Sequence, residues 1–374
     1  MMPTSLKINR QISISLFLLW FLIISACQST TNNDTNDAAT DIDSTHDAED
    51  VETDHWAVWE MNTEPVFTGQ YGIVAGDPSI IRNADEYLMY YTCYAVDISG
   101  AETCLARSPD GINWSMANTG NSTTIGRVLY PGIWDEGHET PFALYHEMQI
   151  YLYYTGYSDA HAGIFGSPSA PIGLAVSDDF ENFESLTDQP VVDVNPDYMN
   201  EHGMTSPSIV KVQGGWMMVF AGWCLKAGGC SGVNPGKYTT IMSAYSEDLI
   251  NWTYENTALI ENDAVPWAVD GLAEPFIIIG DDNRYYLFFT AVNNSTGHSI
   301  GLAVSSNPYG PWNVSPEPIL IPNGEKWTNK GVLAPHVLFD EMIVKMWFSG
   351  EELDENGNPA YRTGYAEAYL PIAP

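Results

Sequence analysis

Five short stretches of the chain set an ionisable or hydroxylic side chain within two residues of a proline: Asp77 in "GDPSII", Glu139 in "GHETPF", Ser206 in "MTSPSI", Glu274 in "LAEPFI" and His336 in "APHVLF". Taken singly, an Asp-Pro or Glu-Pro step is an ordinary way to start a turn, and a lone histidine is an ordinary interior residue. Brought together, three carboxylates and a histidine suit acid/base chemistry at a glycosidic bond, where one carboxyl group protonates the leaving oxygen and another activates a water or attacks directly. Crowding like charges in a partly dry site raises the proton affinity of at least one of them, which leaves an acid beside an ionised base near neutral pH. Such chemistry requires a fold that gathers positions far apart in sequence.

The five prolines, Pro78, Pro141, Pro207, Pro275 and Pro335, are separated by 63, 66, 68 and 60 residues, a period that marks a repeat architecture. Each unit opens with two apolar, β-branched or aromatic segments joined by a polar turn, as in "SIIR" and "YLMYYT" around "NADE", or "SIVKV" and "WMMVFAG" around "QGG". A third segment recurs as "TCLARS", "IGLAVS", "IMSAYS", "IGLAVS" and "TGYAEA", and a fourth begins after "SPDGINW", "SDDFENF", "SEDLINW" and "SSNPYGPW". Four antiparallel strands in each of five units predict an all-β chain folded as a five-bladed β-propeller. The fifth unit ends at "TGYAEAYLPIAP" without a fourth strand, while Trp56 to Phe67, ahead of the first unit, has the look of one. The ring is therefore expected to close with that segment as the outer strand of the last blade, which removes open sheet edges. The first strand of each blade then starts near the axis and directs all five proline steps at one funnel.

Residues 1–26 carry Lys7 and Arg10 and then "ISISLFLLWFLIISA", an export-signal pattern too short for an ordinary membrane span. "ISAC" resembles the lipobox of bacterial lipoproteins, which makes Cys27 the expected lipidation site. Residues 27–55 hold nine acidic residues, no Lys or Arg and almost nothing to bury, the composition of a solvated tether. The propeller is assigned to residues 56–374, and the chain as a whole to the cell envelope, periplasmic or outer-surface, anchored to a membrane by lipid. The propeller region has 11 basic against 39 acidic residues, a formal net charge of −28. A surface that negative repels nucleic acid and phosphates and suits a neutral ligand such as a carbohydrate. Nothing in the sequence asks for a partner chain, so a monomer is expected. Cys93 and Cys104, and Cys224 and Cys230, each bracket a short loop, which in an exported chain favours two local disulfides over zinc, since no finger spacing is present.

Asp-Pro in the first unit, Glu beside Pro in the fourth and His in the fifth, in that order, resemble the five-bladed glycosidases of the arabinanase, levansucrase and invertase superfamily, glycoside hydrolase family 43 above all. The resemblance implies that Asp77 is the general base (the nucleophile in retaining relatives), that Glu274 is the general acid, and that His336 is an axial histidine holding a carboxylate or a central ion such as Ca2+, with no other cofactor. The family places a modulating Asp before the third proline where this chain has Ser206, and Glu139 of the neighbouring unit is the candidate to supply that charge. His138, Trp134, Trp223 and Trp267 are further candidates for holding sugar, the tryptophans by stacking on the C–H face of a ring; Trp327 belongs to the same group. Packing between blades is the competing use for those indoles. His138, Glu201 and His202 are of metal-ligating types, but such residues are common in loops ahead of strands. Phosphorolysis and sialidase chemistry both need clustered cations that this arginine-poor chain lacks. The expectation is a glycoside hydrolase, inverting by the resemblance, and the alternative is a catalytically silent carbohydrate-binding propeller on the same anchor.

Overall fold

The computed structural model describes residues 55–69, 74–94, 100–119, 125–158, 170–225, 237–353 and 357–374. Strands β1 (Glu60–Met61), β2 (Gly76–Asn83), β3 (Glu86–Tyr94), β4 (Ala101–Ser108) and β5 (Ser115–Met116) are followed by β6 (Gly137–His146), β7 (Gln149–Tyr157), β8 (Ile172–Ser177) and β9 (Glu184–Ser185). Then come β10 (Gly203–Val212), β11 (Gly215–Trp223), β12 (Thr239–Ser246), β13 (Thr253–Tyr254), β14 (Gly271–Ile279), β15 (Tyr285–Val292), β16 (Ser299–Ser305) and β17 (Asn313–Val314). The last three are β18 (Gly331–Asp340), β19 (Ile343–Leu353) and β20 (Pro359–Tyr369), and no α-helix occurs among the described residues.

Sequential antiparallel pairing groups these strands into five four-stranded blades: β2–β5, β6–β9, β10–β13, β14–β17, and β18–β20 completed by β1. The chain is a five-bladed β-propeller. Its closure is as the sequence predicts, since Glu60 and Met61 of β1 pair with Glu367 and Ala366 of β20. The inner hairpins are tight because the turn residues accept left-handed backbone, as at Ala84, at Glu147 with Met148, and at Glu341. The Ser/Asp turns before the outer strands are self-capped: Asp110 Oδ1 accepts the backbone N–H groups of Ile112 and Asn113, and Asp248 Oδ1 those of Ile250 and Asn251. These bonds to the ionised form hold both carboxyl groups well below the usual range. Trp114 closes the first such turn by donating Nε1–H to the carbonyl of Gly111.

Blades pack through their apolar faces, and below the funnel the rings of Phe142 and Phe276 and the imidazole of His336 close the axis, with centroids 4.3 Å apart for Phe276 and His336 and 6.4 Å for Phe142 and Phe276. Cys93 on β3 and Cys104 on β4 form the expected disulfide across the blade. Cys224 is also disulfide-bonded, and its expected partner Cys230 lies outside the described residues. So do the signal segment, Cys27 and all but the last residue of the tether.

Candidate active site

Each inner strand carries the same two-residue bulge. Register slips between Gly76 and Ser79, Glu139 and Phe142, Thr205 and Ser208, Ala273 and Phe276, and Leu333 and His336. The first residue of every bulge sits in left-handed backbone, with φ of 50° at Asp77, 50° at Thr140, 56° at Ser206, 47° at Glu274 and 51° at Ala334. Proline fixes the second. Residues other than glycine reach this conformation only at a cost, and five such sites at one end of a ring mark a place that the surrounding structure holds for function. The bulge turns these five side chains inward onto a narrow cavity of about 30 Å³ at the funnel floor, lined by the five residues and their prolines, with His336 beneath.

A relay of hydroxyl groups holds the bulges. The backbone N–H of Asp77 donates to Ser349 Oγ at 2.8 Å, that of Thr140 to Thr92 Oγ1 at 2.9 Å, that of Ser206 to Thr140 Oγ1 at 2.9 Å, and that of Ala334 to Thr290 Oγ1 at 2.9 Å. Each acceptor belongs to the preceding blade. Thr92, Thr155, Thr290 and Ser349 occupy one register position, opposite the residue before the bulge, and they are the last hydroxyls of "YYT", "YYT", "FFT" and "FS". The third blade has Ala221 there, and Ser206 Oγ is buried without a hydrogen-bond partner.

The relay also grips the carboxylates. Thr92 hydrogen-bonds the side chain of Asp77, and Thr290 Oγ1 donates to Glu274 Oε2 at 2.6 Å, an oxygen that also accepts the Ala334 N–H at 3.0 Å. Burial pushes Asp77 up to about 6, against the Thr92 hydroxyl. Glu274 rises further, to about 8, first by burial and then by the negative charge of Asp77. The two therefore titrate as a pair, with the first proton lost from Asp77 and the second held on Glu274.

Two of the sequence assignments shift, one by a single residue and the other by two. The ring position of the second blade is Thr140 and that of the fifth is Ala334, because the bulge starts at the residue immediately before proline. Glu139 stands one place back, receives a hydrogen bond from the Tyr157 hydroxyl, and is pushed up to about 7 by burial with a contribution from Asp77. It is a neighbour of the pair. His336, after its proline, is buried at 4% exposure and pushed down to about 3 by desolvation, so it is neutral, and its ring is bonded to the Ile80 backbone. Ser79 Oγ and Ser208 Oγ take the N–H groups of Ala143 and Ile277 from the same post-proline position, which makes His336 a coupler of adjacent blades.

The remaining sugar-contact candidates are used differently from expectation. Trp134 stacks on Tyr154 with an interplanar angle of 9°, Trp267 on Phe289 at 21° and Trp327 on Phe348 at 24°. Gly301 shows why: a Cβ there would lie 2.5 Å from the Phe289 ring and 2.6 Å from Trp267. Trp223 is buried against Tyr238 and donates Nε1–H to Thr205 Oγ1. Trp223 and Trp327 are buried in this packing, whereas Trp134 and Trp267 are half-buried over the rings they cover.

His138 is corrected from ligand contact to core residue, for it is fully buried. It lies between Glu102 Oε2 at 3.6 Å and Asp135 Oδ2 at 3.4 Å, with Arg127 Nη2 donating to Glu102 Oε1 at 2.5 Å. Burial alone would lower its proton affinity, but the two carboxylates outweigh burial and raise it. Glu201 is occupied by the Leu225 N–H, and no three His, Cys, Asp or Glu side chains among the described residues are grouped as metal ligands. Sequence reasoning missed Thr92, Thr290 and Ser349, the hydroxyl groups that hold the bulges.

No protein-family model matches the chain. An extracellular endo-α-(1→5)-L-arabinanase of Thermotoga petrophila is 26% identical over 275 residues, 64% of this chain; the match spans 50% of that relative's own length. A thermostable family-43 glycoside hydrolase superposes with a TM-score of 0.60 at 19% identity, covering 78% of this chain and 88% of its own. An endo-arabinase from Bacteroides thetaiotaomicron gives 0.55 at 16% identity over 82% and 96%, and a family-43 endo-arabinanase from Bacillus licheniformis 0.53 at 17% over 78% and 93%. The chain has the fold of the family-43 glycoside hydrolases.

Proposed function

We propose that the protein hydrolyses glycosidic bonds in a neutral oligo- or polysaccharide, with Asp77 as general base and Glu274 as general acid. The observation that carries this reading is the pairing of two carboxylates on strained bulges at one funnel floor, the first raised to about 6 and the second to about 8. Between those values one is ionised and the other protonated, as a water-activating base and a leaving-group acid must be. The cavity beside them is large enough for a water. The acidic composition supports a neutral substrate, and the arabinanase likeness makes α-1,5-linked arabinan the first to try in a panel of neutral polysaccharides. Release of reducing sugar from such a panel, lost in both Asp77→Asn and Glu274→Gln, tests the proposal. Ser206, neutral at its ring position, favours a second reading as a sugar-binding propeller; binding of the panel without cleavage would establish it. The lipobox-like "ISAC" supports a lipid-anchored location, tested by whether Cys27→Ala releases the protein from membranes.

A further inference from the structure

Four of the five ring positions are settled within the protein. Asp77 is bonded by the Thr92 hydroxyl, Glu274 by that of Thr290 at 2.6 Å, and Thr140 Oγ1 lies 2.8 Å from Thr155 Oγ1, while Ala334 has no polar side-chain group. In each polar case the partner is the relay hydroxyl of the same blade, standing opposite the residue before the bulge. The third blade breaks the pattern twice. Its relay position, opposite Thr205, is the buried Ala221, and Ser206 Oγ is buried with no hydrogen-bond partner in the protein.

Neighbouring groups do not replace the missing partner. Thr140 Oγ1, from the second blade, takes the Ser206 N–H at 2.9 Å, and Thr205 Oγ1 takes the Trp223 Nε1–H at 2.8 Å. On the other side Glu274 Oε2 is engaged by Thr290 and by the Ala334 N–H. The Ser206 backbone is fixed at φ 56° between the Thr140 bond and Pro207, so only rotation about χ1 is left to aim the hydroxyl. A buried hydroxyl without a partner is costly to the fold and calls for an explanation. Ser206 lines the same narrow cavity as Asp77 and Glu274. The inner strands neighbour one another in chain order and β18 returns to β2, so the two carboxyl groups have Ala334 between them on one side of the ring, and Thr140 and Ser206 on the other. The first side is apolar, and Thr140 is engaged. A serine hydroxyl both donates and accepts and carries no charge, which complements a sugar hydroxyl and leaves the proton balance of the carboxyl pair undisturbed.

We propose that Ser206 is a substrate-binding residue whose hydroxyl bonds a hydroxyl group of the sugar unit held between Asp77 and Glu274. This rests on the acid/base reading above and adds to it the group that fixes the sugar ring against the two carboxyls. The attacking water offers the same hydroxyl chemistry, and the test separates the two sources.

Wild type, Ser206→Ala and Ser206→Thr are compared, as the full chain, on a cleaved oligosaccharide and on analogues of it that each lack one hydroxyl of the sugar unit at the broken bond. Ser206→Ala is expected to lose about tenfold in kcat/KM on the parent, and to match wild type on the one analogue whose missing hydroxyl is the partner of Ser206. Ser206→Thr should keep most of the rate, since Thr140 already holds the equivalent left-handed position at φ 50°. If Ser206→Ala does not fold, Ser206→Gly, which that backbone favours, takes its place. A loss of equal size on the parent and on every analogue means that the hydroxyl serves the water or the fold, and overturns the inference; so does no loss at all, and both leave the acid/base reading intact. A wild type that cleaves nothing overturns the acid/base reading, and calorimetric binding then scores Ser206 alone: wild type should bind the parent about tenfold tighter than Ser206→Ala does, and equal binding of the parent by both overturns the inference.

Discussion

Thr290 donates its hydroxyl to Glu274 at 2.6 Å while the same hydroxyl accepts the Ala334 N–H from the next blade, so the proposed acid is fastened to the joint between two blades. Replacing Thr290 by Val removes a bond that favours the ionised form. Glu274 should then hold its proton to higher pH, and kcat/KM should fall about tenfold or more as the carboxyl group loses its fixed orientation. Thr290→Ser is expected to recover most of the rate. Steady-state kinetics across pH would show a Val variant with an unmoved alkaline limb if the hydroxyl has no such part.

The funnel carboxylates should make the protein less stable as pH rises. Asp77, Glu139 and Glu274 all have folded values raised above their ordinary ones, to about 6, 7 and 8. Each therefore contributes stability that is fully present below about pH 4 and lost as pH passes through its folded value. Asp77→Asn and Glu274→Gln are expected to melt higher than wild type at pH 9 and to show a flatter dependence of Tm on pH. Equal losses of Tm between pH 5 and 9 in wild type and both variants would contradict the proton placement.

His138 should matter to folding rather than to binding. Its imidazolium and Arg127 balance Glu102 and Asp135 in a fully buried cluster. His138→Gln leaves an excess buried negative charge and should cost about 3 kcal/mol. His138 has a raised folded value, so its contribution is complete below its ordinary pKa of 6.5 and fades as pH climbs through the folded one. The gap between wild type and variant in denaturant melts should be widest at acid pH, and a gap that widens toward alkaline pH would refute the assignment.

Trp267 gives a test of the packing assignment. It lies half-buried over Phe289 and Gly301 of the fourth blade. Trp267→Ala should destabilise by about 3 kcal/mol while leaving KM for a soluble oligosaccharide unchanged. A tenfold rise in KM with an unaltered Tm would instead return this indole to the sugar-binding face.

The blade count, the closure by the N-terminal strand and the Cys93–Cys104 bridge were all legible in the sequence, because hydrophobic alternation, turn chemistry and repeat spacing are local signals. Asp77 and Glu274 were legible for the same reason: the residue before each proline is a fixed place in a repeated strand. Glu139 and His336 were misplaced by one and two positions because the eye aligns charged residues, whereas the bulge aligns backbone. The relay hydroxyls of Thr92, Thr290 and Ser349 stood in plain view at the end of their second segments, yet their role depends on a neighbouring blade. The packing of the tryptophans and of His138 is not legible in the sequence, because whether a ring faces solvent or a glycine is decided by tertiary contacts.

The most direct test of the account compares Asp77→Asn and Glu274→Gln on two substrates, a natural oligosaccharide and an aryl glycoside whose phenol leaves without protonation. The acid/base assignment predicts that Asp77→Asn loses about 10³-fold or more on both, whereas Glu274→Gln loses a similar factor on the oligosaccharide, keeps most of its rate on the aryl glycoside, and no longer shows the alkaline limb. If Glu274→Gln is crippled equally on both substrates, or Asp77→Asn retains activity on either, the roles given to these two residues are wrong.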